Sequence, residues 1–473
     1  MSTVREIFEK DEAAGLKAFE EKIKPLGLSE GAKEKLLYMF KSAFSKASAA
    51  DCMIDWQYVV PLTDKEQTPY ETLKDPENPA ELLKKLVIVK LNGGLGTTMG
   101  CTGPKSLISC RNGKSFFDIV VDQVKELNDK YGTDVPLVLM HSFNTDDIMR
   151  PHVEAVKDVK VITFNQNKFP RIYTDTLEPV PENAESPISM WNPPGHADVY
   201  HCLRDSGLLD KFLAEGKTIM MISNIDNLGS VVDLKVLNKA ITENRSYMAE
   251  TVLKTLDDWK GGMPIMYKGH MKLLETAIVP KEHFNDYTDM NFLNYFHANN
   301  LWVNLVTLKQ ALSDGTLKLD TMRNYKKYNN REIVQLEAAC GSAIQSFKDS
   351  CAVRVPRNRF LPVKSCNELL LVRANVYIME GSHFVRNPAR KIADLPSIQL
   401  SQIYQHVEDF EKRFPEAPDM VDLVKLHVDG DVFFGKNIKL VGNVDIQIPA
   451  GQTLTIPDGK VLKDCTIRSA ADL

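Results

Sequence analysis

Short apolar runs alternate with amphipathic stretches through the middle of the chain. LVIVKL at 86–91, VPLVLM at 135–140, VKVITF at 159–164 and TIMMIS at 218–223 each have about the length of one buried strand. Segments of helical type lie between and after them, at 117–127, 146–156 and 198–213. Strands alternating with helices predict a mostly parallel sheet covered on both faces. Such sheets bind ligands beyond the carboxyl ends of their strands, so the loops after Leu91, Met140, Phe164 and Ser223 become the candidate site.

The pattern differs on either side of this region. Leu36, Leu37, Phe40 and Phe44 recur at helical spacing, and Pro61, Pro69, Pro76 and Pro79 then punctuate a connection. Near the other end Val432, Ile438, Val444, Ala450, Ile456 and Leu462 are six residues apart, with Gly435, Gly442, Gly451 and Gly459 between them. A period of six with small turn residues predicts a β-helix in which each rung is one short strand and one turn. These shifts divide the chain into a helical region at 1–84, an α/β region at 85–385 and a β-helix at 386–473.

Composition narrows the function. The 473 residues are 43% hydrophobic and 26% charged, which is ordinary globular usage. Fifty-eight basic against 63 acidic side chains give a net charge of -5, which argues against wrapping nucleic acid. No apolar run reaches membrane-span length, the start MSTVREIFEKDEAAG has no signal-peptide core, and the eight cysteines show no CxxC pair. These features predict a cytoplasmic protein with reduced thiols.

The strongest local signal is KLNGGLGTTMGCTGPKS at 90–106. Five glycines, at 93, 94, 96, 100 and 103, directly follow a predicted strand, and Lys105 adds a charge. Glycine lets backbone N–H groups approach a phosphate closely, at φ values other residues avoid. A Walker loop is excluded because Pro104 stands where glycine must precede the lysine, and Gly94, Gly96 and Gly100 are one residue too widely spaced for a dinucleotide fingerprint. The loop by itself indicates a nucleotide without a chemistry.

The stretch closely resembles the LxGGxGTxMGxxxPK signature of the uridylyltransferases, in particular the eukaryotic UDP-glucose pyrophosphorylase family. FNQN at 164–167, WNPPGH at 191–196, SNIDNLG at 223–229, KGG at 260–262, NNLW at 299–302 and RFLPVK at 359–364 follow in that family's order. Thr98 stands where many relatives have another small residue. The resemblance implies a Rossmann-like, mostly parallel mixed sheet of the nucleotidyltransferase type A fold, with a C-terminal left-handed β-helix. The implied reaction joins UTP to glucose 1-phosphate, giving UDP-glucose and pyrophosphate.

The resemblance also distributes roles. Leu91, Gly94, Met140 and Gln166 would form the base pocket, with Asn92 and Gly93 beside them and the backbone of Gly195 reading the uracil edge. His196 would orient the substrate, Asn224 reach the sugar, Glu275 and Asn304 hold glucose hydroxyls, and Lys260 face the sugar phosphate. Asp226, just past an apolar strand, suits a Mg²⁺ that prefers one or two carboxylates with phosphate oxygens and water. Lys105 and Lys364 would neutralise the phosphates, and Phe360 would pack on the sugar or hold the lysine segment. Glucose 1-phosphate carries an oxygen already anionic, so no Ser-His-Asp or paired-carboxylate constellation is required.

Three alternatives stay open. Another sugar 1-phosphate, or a broad set of them, would suit the same motifs. A nicotinamide-dependent oxidoreductase would place a helix directly after the glycines and an acidic residue about twenty positions on, for which Asp118 is the candidate. A non-catalytic assembly protein would only bind nucleotide. The β-helix is also a candidate surface for homo-oligomerisation.

Overall fold

The structure is a computed structural model describing residues 2–45, 53–255, 258 and 261–473. At its centre lie eight strands: β1 (Gln67–Pro69), β2 (Leu86–Leu91), β3 (Leu137–His141), β4 (Val161–Asn165), β5 (Ile219–Asn224), β6 (Tyr247–Leu253), β7 (Tyr295–Asn304) and β8 (Cys351–Arg354). Their order across the sheet is β1-β8-β6-β7-β5-β2-β3-β4. β7 is antiparallel to β5 and β6, and the remaining pairs are parallel. The fold is therefore mixed α/β with a parallel-rich sheet.

Both faces of this sheet are covered, which is why its strands read as continuous apolar runs. Along β2, Leu86 and Ile88 enter one core while Val87, Val89 and Leu91 enter another on the opposite face. The first core continues into the C-terminal strands through Leu426, Val444 and Ile456. The second includes the N-terminal helices α1 (Val4–Lys10), α2 (Glu12–Ile23) and α3 (Glu30–Phe44). In α3 Leu36 and Phe40 are buried as their spacing predicts, and Lys35 forms a buried ion pair with Asp198 at 2.5 Å.

The region up to residue 84 is not helical throughout. Val59–Pro61 pairs with Met263–Tyr267, and β1 forms the edge of the large sheet. Proline is tolerated at such edges because its missing N–H faces no partner. The predicted helix at 198–213 is two helices, Asp198–Asp205 and Leu208–Ala214, separated at Gly207 with φ 76°.

The C-terminal strands pair in parallel within separate small sheets. The positions spaced by six do not stack on one another. Val432 lies opposite Leu454, Leu440 opposite Leu462 and Ile446 opposite Ile467. Parallel neighbours require the chain to travel round and return, so one circuit spans several six-residue steps. Gly442, with φ 66°, breaks Lys439–Gln447 at the register shift between Val441 and Val444. Among the described residues, no helix is long and apolar enough to cross a membrane.

Candidate active site

Strand register brings the candidate loops together. Asn224 pairs with Leu91, Leu91 with Met140, and Met140 with Phe164, so four carboxyl ends stand side by side. Backbone bonds continue the alignment past the strands. Asn92 N–H donates to the Met140 carbonyl at 2.8 Å, and Gln166 N–H to the His141 carbonyl at 2.9 Å. Ser142 and Thr145 hydroxyls donate to the Gly93 and Asn92 carbonyls at 2.7 and 2.9 Å, fixing the start of the glycine loop.

These ends border a cleft of about 290 Å³. Leu91, Asn92, Gly93 and Gly94 line one part, and Met140, Gln166, Gly195 and His196 another. Lys105, Asn224 and Asp226 complete it, so the residues expected at the base and Lys105 meet here, while Lys364 and Phe360 do not line it. Both amide atoms of Asn92 and the Gln166 Oε1 are buried without a hydrogen-bond partner. Buried amides are ordinarily satisfied, so this unused donor and acceptor capacity fits a ligand with a polar edge.

The glycine loop folds back on itself instead of opening a helix. Leu95 bridges Pro104, Gly96 N–H donates to the Gly103 carbonyl at 3.3 Å, and Lys105 N–H to the Gly94 carbonyl at 3.3 Å. The next long helix begins only at Phe116, which removes the oxidoreductase reading. The need for glycine also differs from the expectation. Of the five, Gly100 alone has a positive φ, 72°. At Gly93 the reason is space, since a Cβ would stand 1.9 Å from the Gln166 Nε2. Gly94 has nothing within 4 Å of such a Cβ and leaves room on the cleft side.

WNPPGH forms a turn sewn to the strand Arg331–Ala338. Ala338 N–H donates to the Pro194 carbonyl and Ala197 N–H to the Ala338 carbonyl, both at 3.0 Å. The His196 Nδ1 accepts from the Cys340 N–H at 3.0 Å, and burial pushes its pKa down to about 4. A neutral imidazole held this way orients its neighbours and is no general base at neutral pH.

Lys105 meets Asp226 at 2.5 Å, with side-chain exposures of 18% and 17%. Partly solvated pairs of this kind are weak enough to open for a competing phosphate. Lys364 follows Val363, whose N–H donates to the Asp226 carbonyl at 3.2 Å. It is exposed, with its ammonium 6.0 Å from the centroid of the Phe296 ring. Phe360 is buried 5.6 Å from that same ring, and so holds the lysine segment in place.

Asn304 is a correction. It pairs with Ile219, at the end of β5 away from the cleft, and its Oδ1 caps the helix Leu305–Ser313 by accepting from Val306 and Thr307. β7 runs antiparallel, so its earlier residues face the site. Asn299, earlier on that strand, reaches Asn224 instead, its Nδ2 donating to the Asn224 Oδ1 at 3.0 Å. Lys260 lies outside the described residues. Glu337 was not anticipated, yet it lines the cleft from the Arg331–Ala338 strand, and burial raises its pKa.

Glu275 does not line the cleft and is half-buried; desolvation first, then the Asp320 charge, raises its pKa to about 7 against an opposing effect of Lys364. A carboxyl with a raised folded pKa holds its proton more tightly when folded. Its stability cost is therefore absent below about pH 4.5 and grows as pH rises through about 7. Glu275→Gln is expected to raise Tm at pH 8 relative to pH 5, removing on the order of 3 kcal/mol of charge burial. Equal Tm shifts at both pH values in thermal denaturation would refute this.

Among the described residues no three metal-ligating side chains converge. Asp226 offers one carboxylate to the cleft, which fits a Mg²⁺ completed by substrate phosphate oxygens and water.

The sequence profile of the UTP–glucose-1-phosphate uridylyltransferase family matches residues 37–441. The UTP–glucose-1-phosphate uridylyltransferase of Hordeum vulgare is 44% identical over 426 residues, covering 89% of this chain and 90% of its own. That of Saccharomyces cerevisiae is 40% identical over 421 residues, covering 88% and 84%. A Leishmania major UDP-glucose pyrophosphorylase variant solved with UDP-glucose superposes with a TM-score of 0.86 at 30% identity, over 96% of this chain and 99% of its own. On this combination of profile, identity and shape, the chain belongs to the UTP–glucose-1-phosphate uridylyltransferase family.

Proposed function

We propose that the cleft joins UTP to glucose 1-phosphate by in-line attack of the sugar phosphate on the α-phosphorus, releasing pyrophosphate. The observation that carries this reading is the convergence, at four aligned strand ends, of unpartnered amides with the Lys105–Asp226 pair. Asn92 and Gln166 supply donors and acceptors for the uracil edge, beside the Gly195 turn. A site built around such bonds rejects bases that leave them unpaired. Gly93 and Gly94 give the phosphates access to backbone. Lys105 transfers its charge from Asp226 to the incoming triphosphate, and Lys364 approaches from the segment tied to the Asp226 backbone. Asn224 and Asn299 present an amide pair to the sugar. The attacking oxygen is already anionic, so the site's task is placement and charge neutralisation. Magnesium bound at Asp226 would add further neutralisation of the phosphates.

The test is pyrophosphate release from UTP with a panel of glucose, galactose and N-acetylglucosamine 1-phosphates, with Mg²⁺ or with excess chelator. Release that requires UTP and Mg²⁺ and is fastest with glucose 1-phosphate is expected. No release with any sugar phosphate would overturn the reading, and equal rates with all would replace it with a broad UDP-sugar pyrophosphorylase.

On the same footing we propose the finer architecture: an N-terminal region at 1–84 whose first three helices end at Phe44 before its strands begin, a nucleotidyltransferase type A fold at 85–385, and a left-handed β-helix at 386–473. We further propose that the protein is cytoplasmic and that copies associate through the β-helix. Sedimentation velocity showing only monomer at every concentration would remove the last proposal.

A further inference from the structure

Two stretches carry the charged groups assigned to the phosphates, and they are far apart in sequence. Residues 224–231 carry Asp226 and residues 357–364 carry Lys364. Polar contacts join them along their length. Leu361 N–H donates to the Asn227 Oδ1 at 2.8 Å, Val363 N–H to the Asp226 carbonyl at 3.2 Å, and Asn227 bridges Pro362. The fit leaves no slack, since a Cβ on Gly229 would stand 2.4 Å from the Asn358 carbonyl oxygen.

The joined unit is anchored to the sheet through Arg359, whose Nη1 also lies 3.7 Å from the Asp233 carboxylate. Arg359 grips Glu250 of β6 in a fork, Nε to Oε2 at 2.9 Å and Nη2 to Oε1 at 2.6 Å. Their side-chain exposures are 8% and 0%. Trp302 Nε1 and Asn300 Nδ2, both on β7, donate to the same carboxylate at 2.9 and 3.0 Å. Arg359 Nη2 also donates to the Val231 carbonyl at 3.0 Å, reaching the far end of the Asp226 stretch. Burying two charges is a poor route to stability, because desolvation cancels much of their attraction. What this fork supplies is a fixed direction, with every carboxylate oxygen engaged from rigid strands.

We propose that Glu250, Arg359 and Asn227 are positioning residues that set Lys364 at a fixed place relative to Asp226. The proposal rests on the assignment of Lys364 and Asp226 to the substrate phosphates. These residues touch neither substrate, so they act through Lys364. A lysine displaced by about 1 Å loses much of its transition-state effect while ground-state binding of UTP is little changed.

The experiment is a double-mutant cycle. Arg359→Lys keeps the charge and loses the fork, and Asn227→Ala leaves the fork in place while removing the side-chain bonds to Leu361, Asn300 and the Arg359 carbonyl. Each is made in the unmodified chain and in Lys364→Ala, and kcat and the KM for UTP are measured by pyrophosphate release. The expected result is a kcat loss of about tenfold or more when Lys364 is present and under about twofold when it is absent, with KM within about twofold throughout. Equal losses in both backgrounds, or no loss from either substitution, would overturn the positioning role. If Arg359→Lys does not fold, Asn227→Ala carries the same comparison. An unmodified chain that releases no pyrophosphate would sink the underlying assignment, whereas normal turnover with additive losses sinks the positioning proposal alone.

Discussion

Lys364→Ala is expected to lower kcat by about 10²–10³ while leaving the KM for UTP within a few-fold. The two lysines proposed for the phosphates are not equivalent. Lys105 is neutralised by Asp226 before substrate arrives, at 2.5 Å, and its removal also strands a carboxylate. Lys364 instead lies exposed near the Phe296 ring, so its charge is held ready for an anion. Its backbone neighbour Val363 is bonded to the Asp226 carbonyl, which ties the Lys364 segment to the stretch that carries the carboxylate. Negative charge that builds around the α-phosphorus meets this ammonium most strongly in the transition state, so the loss falls on kcat. Steady-state kinetics at saturating glucose 1-phosphate read the split. A kcat near that of the unmodified chain would remove Lys364 from the chemistry. A KM increase with kcat preserved would reduce it to ground-state binding. Lys364→Arg should recover only part of the rate, because a planar fork does not reproduce a point charge.

How far the site could be read from sequence depended on what each strand buries. β2, β3, β4 and β5 were legible because most of their side chains enter a core, and an apolar run then points directly to the loop at its end. β7 gave no such run, since His297, Asn299, Asn300 and Asn304 interrupt it. Those polar positions serve the neighbouring network and the site. Asn299 and Asn304 lie on one strand, and only its direction decides which reaches Asn224. Antiparallel pairing is a tertiary fact with no local signature, so Asn304 was misplaced at the wrong end. Glu337 had no signal either, being one acid on a strand recognisable only once it packs against the Gly195 turn. Of the loop glycines Gly93 and Gly94 line the cleft, and at Gly93 the crowding comes from the Gln166 amide and not from its φ. In the C-terminal strands the six-residue period marked buried positions except at Ala450, which is exposed in a turn. It did not give the pairing, which is set by how far the chain travels before returning.

Gly195→Ala should have the second large effect, and it separates backbone strain from site geometry. Two costs coincide at this residue. Its φ of 83° disfavours any side chain, by roughly 1–2 kcal/mol. A Cβ there would also stand 2.5 Å from the Ala338 carbonyl oxygen and 2.7 Å from its nitrogen. Ala338 belongs to a paired strand and cannot yield as a side-chain tip would, so the turn must move. Moving it breaks the bonds from Ala338 N–H to Pro194 and from Ala197 N–H to Ala338, and carries His196 away from the Cys340 N–H. The base-facing wall of the cleft then shifts, and kcat/KM for UTP is expected to fall by about 10²-fold, mostly through KM. Gly216→Ala provides the contrast. Gly216 has a φ of 77° but nothing within 4 Å of its Cβ position. It should lose only the strain cost in thermal denaturation and keep its kcat/KM for UTP. If both substitutions lower Tm alike and neither changes kcat/KM, the Gly195 turn is only structural. If Gly195→Ala alone loses UTP, the collision with Ala338 is what shapes the uracil side of the cleft.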